Sequence, residues 1–133
     1  LLTKRRNRDT VQFIPVAPTV LPNTPKVLGN YGIEFDHPGI NLSALLNAQY
    51  IGRRWTQDWA NMHPNPTYGT YLNYGGFTVV DFSLNKRLWD FGEKGGYLYL
   101  RVDVNNLFDQ DYGFILDYPM PGRNFYVGIG YTF

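Results

Sequence analysis

The 133 residues carry 12 basic and 11 acidic side chains, for a net charge of +1, with no cysteine and two histidines. That excludes disulfide frameworks and thiolate metal sites and argues against a histidine-rich metal centre or binding of nucleic acid through bulk charge. Charged residues are only 17% and aromatics also 17%, with 14 glycines, whereas an average soluble domain is roughly 25% charged; the profile fits an antiparallel β protein whose outside need not meet water.

The chain opens on a basic cluster, Lys4, Arg5, Arg6 and Arg8, read as a solvated loop or frayed end, with a nucleic-acid or headgroup patch as the other reading. Without residues 1–8 the remainder carries 8 basic and 11 acidic side chains, so the positive charge is local. Pro15, Pro18, Pro22 and Pro25 follow; each lacks an N–H and fixes φ. Residues 1–25 are therefore expected to be loop, with one short strand around Asp9–Ile14.

From Lys26 the period is two. Val27, Tyr31, Ile33 and Phe35 share one face, and Leu28, Asn30, Gly32 and Glu34 the other. His37-Pro38-Gly39 breaks the run as a tight turn would. Leu42, Ala44, Leu46, Ala48 and Tyr50 then alternate with Asn41, Ser43, Leu45, Asn47 and Gln49. Arg54–Gly75 reads as a long connection. Val80, Phe82 and Leu84 next alternate with Asp81, Ser83 and Asn85, and Asp90–Gly96 is a polar, glycine-rich turn. Leu98, Leu100, Val102 and Val104 alternate with Tyr99, Arg101, Asp103 and Asn105. After a second long connection, Asp109–Gly122, Phe125, Val127, Ile129, Tyr131 and Phe133 face away from Tyr126, Gly128, Gly130 and Thr132. Five strands are expected, near 26–36, 40–53, 76–89, 96–108 and 123–133. Helix is a poor alternative, because apolar residues spaced by two scatter around a 3.6-residue turn.

Three features point the apolar face toward lipid. The runs are about 11–14 residues, longer than the usual 5–6 and enough for the 9–11 of a tilted bilayer crossing. Short and long connections alternate, as in outer-membrane barrels with short periplasmic turns and long outer loops. Aromatics gather near strand ends, at Phe35, Tyr50, Trp55, Phe77, Trp89, Tyr97, Phe125, Tyr131 and Phe133, where amphipathic rings suit the headgroup level. The opposite face carries Asn47, Gln49, Asp81, Arg101 and Asp103, which must be paired or wet; a watery or plug-filled lumen meets that demand. Five strands cannot close a barrel whose smallest bacterial form has about eight, and an open edge in lipid is costly. The chain is thus either part of a longer polypeptide or completed by other chains, and is expected to be a C-terminal part.

The last third carries Asn106-Leu107-Phe108-Asp109, Tyr112, Pro121-Gly122-Arg123-Asn124-Phe125 and the ending Tyr131-Thr132-Phe133. In these residues it resembles the C-terminal end of TonB-dependent outer-membrane receptors; the strands at 26–53 and 76–90, approached by Leu21-Pro22-Asn23-Thr24-Pro25, are more loosely similar. The resemblance implies an all-β fold, a 22-stranded antiparallel transmembrane barrel in the Gram-negative outer membrane with an N-terminal plug inside it. This chain would supply the last five strands, residues 26–133, and the plug with its TonB box is expected outside these residues. The implied activity is uptake of a scarce ligand (siderophore, cobalamin, haem or glycan) without covalent chemistry or cofactor. The implied partners are outer-membrane lipid, the rest of the barrel and its plug, the TonB complex acting through that plug, and the barrel-insertion machinery, with a surface lipoprotein left open. Phe125, Val127, Ile129, Tyr131 and Phe133 are similar to the assembly signal of outer-membrane proteins, read by strand addition; an ordinary edge strand is the other reading.

Other residues offer little chemistry. His37 and His63 each precede proline and read as turn or loop residues. Asp81, Asp103, Asp109, Asp111 and Asp117 lack EF-hand spacing. Ser43 and Ser83 have no histidine at suggestive spacing, and Gly92, Gly95 and Gly96 belong to a turn rather than to a phosphate-binding motif. Trp55, Trp59, Tyr68, Tyr71 and Tyr74 are candidates to stack on a ligand in the outer loops, or to pack their own loop or form an interfacial belt. Two other classes of function stay open: a soluble antiparallel β-sheet ligand-binding module, and, more weakly, an outer-membrane enzyme.

Overall fold

The structure, a computed structural model, describes residues 8–15, 21–58, 64, 68–92, 95–115 and 118–133, of which 8–15 and 68 are described by backbone alone. Lys4, Arg5, Arg6, Pro18, Trp59, His63 and Asp117, singled out in the sequence, lie outside the described residues. The protein is all-β with antiparallel sheets. Its strands are β1 Arg8–Pro15, β2 Leu28–His37, β3 Leu42–Ile51, β4 Arg54–Gln57, β5 Tyr68–Tyr74, β6 Phe77–Asp90, β7 Tyr97–Asn105 and β8 Asn124–Thr132. They form a three-stranded sheet in the order β1-β5-β4 and a five-stranded sheet in the order β2-β3-β6-β7-β8. No helix among the described residues is long and apolar enough to cross a membrane, which says nothing about crossing by strands.

The chain divides into two compact units. One comprises residues 30–49, 78–110 and 121–133; the other comprises 1–29, 50–77 and 111–120. The first holds most of the five-stranded sheet, whose strands are the five that the period of two marks out. Their ends are trimmed by local backbone geometry. A 3-10 turn, Pro38–Ile40, joins β2 to β3, and Asn41 follows at φ 49, ψ 50 with its N–H on the Pro38 carbonyl at 3.1 Å. Asn106, also left-handed at φ 53, stops β7 at Asn105; asparagine tolerates that region better than branched residues do.

Register decides what each face contains. Across β6, β7 and β8 the rows on one side are Phe82–Val104–Phe125, Leu84–Val102–Val127, Lys86–Leu100–Ile129 and Trp89–Leu98–Tyr131. A shift between Arg87 and Trp89 leaves Leu88 as the extra residue of a bulge, which brings Trp89 back to the apolar side. Rows on the other side are Ser83–Asp103–Tyr126, Asn85–Arg101–Gly128 and Arg87–Tyr99–Gly130. An added Cβ on Gly32 would lie 3.9 Å from Leu45 and 4.0 Å from Asn47. The even positions of β2 thus share the polar side with the odd positions of β3, leaving Tyr31, Ile33 and Phe35 on the apolar side.

Where Arg54–Gly75 reads as one long connection, the structure has two strands, β4 and β5, paired through Arg54↔Tyr74, Trp55↔Asn73, Thr56↔Leu72 and Gln57↔Tyr71. The sequence hides them because the buried face of this short hairpin is mostly polar. Among the described residues Leu72 is its only aliphatic member, beside Arg54, Thr56 and Thr70, all buried. Phe77 opens β6, Tyr97 opens β7 and Trp55 is the second residue of β4, so all three lie at strand ends, but off the apolar side. Phe77 is buried, and Tyr97 is on the polar side beneath the Arg87 guanidinium, 4.2 Å from its ring centroid.

Two glycines are demanded by the packing of the five-stranded sheet. Gly96 closes the β6–β7 turn at φ +68, and a Cβ there would overlap the Thr132 carbonyl. Gly130 leaves the space on β8 into which the Tyr99 ring folds from the neighbouring strand. Gly130→Val is expected to expel that ring and lower stability by about 1–3 kcal/mol, as overpacking does, read as a lower urea midpoint; an unchanged midpoint would show that Tyr99 does not use the gap.

Candidate functional site

The long-connection end of the five-stranded sheet is pinned by the motif that begins at Asn106. Its backbone N–H donates to Asp81 Oδ1 (2.9 Å), and the Leu107 N–H donates to the Val80 carbonyl (2.7 Å). The buried Asn106 carboxamide accepts from the Gln110 N–H (2.8 Å) and donates through Nδ2 to the Gln110 carbonyl (2.9 Å). Asp109, at φ 53, accepts the Arg123 N–H on Oδ1 at 2.8 Å. Gly122 lies so close that an added Cβ would come to 2.9 Å of the same oxygen. Asn, Asp, Gly and Arg at these spacings therefore form a staple joining both ends of the 106–123 connection to β6. The role is structural.

The polar side of β6–β7 carries a second network. Arg101 donates to Asp103 through Nε (2.7 Å) and Nη2 (3.2 Å), and Ser83 Oγ donates to Asp103 Oδ1 (2.7 Å). The carboxylate is thus satisfied within the sheet. At the short-turn end, a concavity of about 700 Å³ on this unit is lined by Asp36, His37, Ser43, Asn85, Arg87 and Tyr99 among others. Arg87 is paired there with Asp90 at 3.1 Å.

In the other unit Arg54 is the organising residue. It is buried, donating through Nε to the Phe114 carbonyl at 3.2 Å and through Nη2 to the Gly113 carbonyl. Its guanidinium carbon lies 4.7 Å from the Tyr74 ring centroid and 5.5 Å from that of Phe77. Phe77, Tyr112 and Phe114 pack around it, with centroids 4.9–5.9 Å apart. Nη1 has no hydrogen-bond partner among the described residues. Burial pushes the Arg54 pKa below its ordinary value, opposed by the electrostatic effect of Tyr74. The sequence offered one clue, an arginine beside Trp55 before a tyrosine-rich stretch, but no spacing rule identifies its partners, which are carbonyls some sixty positions away.

Of the five candidate ligand-stacking aromatics, the three with described side chains, Trp55, Tyr71 and Tyr74, do not share one side of the hairpin. Trp55 and Tyr71 are half-buried on one side of the β4–β5 pair, opposite Asn73 and Gln57 respectively. Tyr74 is half-buried on the other side, beneath Arg54. Tyr71 folds over Gly69. Tyr68 is placed by its backbone pairing with Pro15 alone, and Trp59 lies outside the described residues. Trp55 lines a concavity of about 500 Å³ with Leu21, Lys26, Arg53 and Asn73 among others. Phe125, Val127, Ile129 and Tyr131 do share one side of β8, an edge strand of its sheet. Phe133 follows the strand and stacks on Tyr131 at 6.2 Å, while the Tyr131 hydroxyl donates to the Gly95 carbonyl.

Among the described residues no group of three or more His, Cys, Asp or Glu is placed to hold a metal ion. His37 ends β2 with its ring 6.3 Å from that of Phe35. No family model matches the chain.

Arg54→Ala is expected to cost about 1–3 kcal/mol by stranding two carbonyls and to speed proteolytic nicking within 111–120. Arg54→Lys is expected to rescue little, because an ammonium cannot reproduce the planar fork. Nicking at the wild-type rate in both variants would show that Arg54 does not hold this segment.

Proposed function

We propose that the chain forms the last five strands of a 22-stranded outer-membrane barrel, the C-terminal portion of a TonB-dependent receptor that takes up a scarce ligand. In this reading the apolar side of the five-stranded sheet meets hydrocarbon, and the side bearing Asp81, Arg101 and Asp103 faces the lumen and its plug. The β4–β5 hairpin and the 106–123 connection lie at the outer surface, where ligand is captured before TonB-driven rearrangement of the plug releases it inward. No covalent step is involved.

The observation that carries this reading is the set of apolar rows across β6, β7 and β8 whose outer members no other described residue covers. Phe125, Val127 and Ile129 are 65, 70 and 70% exposed. Left in water, each forgoes about 1.5–3 kcal/mol relative to burial, a serious loss against the ~5–15 kcal/mol that keeps a domain folded. Exposed Tyr31, Ile33 and Phe35 extend the same side at β2. Dimensions agree. The nine residues of β7 span about 30 Å at ~3.3 Å each, which at a tilt near 45° covers about 21 Å of the ~25 Å apolar band of such barrels. The edges of β2 and β8 supply the reason for further strands, because unpaired backbone groups in hydrocarbon cost several kcal/mol each.

Membranes washed with alkaline carbonate should retain the protein and detergent should release it, with gel mobility that changes on boiling. Release by carbonate, together with mobility indifferent to boiling, would return the chain to the alternative of a soluble β-sheet binding module.

A further inference from the structure

We infer that the short-turn rim of the five-stranded sheet holds the headgroup of an anionic phospholipid, with Lys86 as the residue that selects it. The inference rests on the membrane reading proposed above. Lys86 is the one charged residue in the apolar rows: it stands opposite Leu100, which stands opposite Ile129. A lysine on the lipid side of a barrel is costly at the midplane and tolerated near the interface. Lys86 meets that constraint by bending toward the rim. Its Nζ donates to the Ile40 carbonyl in the 3-10 turn between β2 and β3. The Arg87 N–H on the Asn41 carbonyl at 3.0 Å holds that turn beside β6. The ammonium thus reaches the level of the short turns, as amphipathic side chains do at interfaces, and there Lys86 also borders the concavity lined by Asp36 and Arg87.

The ammonium has three donors, and Ile40 takes one. Among the described residues no carboxylate forms an ion pair with it, whereas Arg87 is paired with Asp90 and Arg101 with Asp103. The rim of the apolar side therefore presents an uncompensated positive charge. Trp89, opposite Leu98 in the last apolar row, is exposed, as is Ile40, whose carbonyl takes the Lys86 ammonium. An ammonium with spare donors, an indole of the kind that settles at headgroup depth and aliphatic surface below match, in order, a phosphate, a glycerol region and acyl chains. The net positive charge favours an anionic lipid over a zwitterionic one of the same shape.

The test uses the full-length protein in detergent, exchanged into an equimolar mixture of phosphatidylglycerol and phosphatidylcholine, with retained lipids identified by native mass spectrometry. Wild type should retain phosphatidylglycerol over phosphatidylcholine by about fivefold, the preference one lysine near the surface supplies. Lys86→Gln should lower that excess and Lys86→Arg should keep it. Equal retention of the two lipids by wild type, or an unchanged excess in Lys86→Gln, would overturn the inference. If Lys86→Gln does not insert, Lys86→Met, which keeps an apolar stem, takes its place. Heat-dependent gel mobility separates the two levels of the claim. Its loss in wild type defeats the membrane reading, while its persistence without lipid preference defeats the headgroup site alone.

Discussion

Residues facing each other across an antiparallel ladder point to the same side of the sheet, so the register of β6, β7 and β8 decides what each side is made of. Here it gathers Phe82, Leu84, Leu98, Leu100, Val102, Val104, Phe125, Val127 and Ile129 on one side and Ser83, Asn85, Arg101, Asp103 and Tyr126 on the other. Shifting one strand by a single residue would mix the two sets. The devices that fix register are therefore the ones on which the fold depends. The Leu88 bulge restores alternation after Arg87, Gly96 and Gly92 close the β6–β7 turn with positive φ, and Gly130 accepts the Tyr99 ring. At the opposite end the Asn106 staple ties the 106–123 connection to Val80 and Asp81.

The two units use polar groups differently. In the five-stranded sheet Arg101 and Asp103 of the polar side pair close to its surface, and Ser83 donates to the same carboxylate. In the small sheet, by contrast, polar side chains are buried: Arg54, Thr56, Asp58 and Thr70 line the interior beside Leu72. Arg54 is the extreme case, its charge met by two main-chain carbonyls and two aromatic faces. Such an interior depends on geometry more than on area, because an unpaired buried polar group costs more than a buried methyl gains. Trp55 and Tyr71 lie on the other side of the same hairpin.

The five long strands were legible because each carries three or more apolar residues at strict spacing, enough to reveal a period of two. The hairpin of β4 and β5 was not, since a buried side made of Arg54, Thr56, Leu72 and Tyr74 has no hydrophobic rhythm. The motif Asn106-Leu107-Phe108-Asp109 was visible as a pattern, and its reason was not. The left-handed backbone at Asn106 and Asp109 and the reach of Asp109 to the Arg123 amide exist only in three dimensions. Likewise, the tyrosines and tryptophans of residues 55–74 were legible as a rich composition but not as a site. Strand alternation sends Trp55 and Tyr74 to opposite sides of the same hairpin. Lys86 was hidden for a different reason. Its place on the apolar side follows from pairing with Leu100, and its partner Ile40 lies in a turn far away in sequence.

The central claim is that hydrocarbon solvates the apolar side of β8. With no cysteine in this chain, nitroxide labels placed one at a time at Tyr126, Val127, Gly128 and Ile129 test it most directly, through their accessibility to oxygen and to a water-soluble nickel chelate in reconstituted bilayers. Labels at Val127 and Ile129 should be reached by oxygen and shielded from nickel, with the opposite preference at Tyr126 and Gly128. Nickel accessibility at all four positions would place the strand in water on both sides and contradict the barrel.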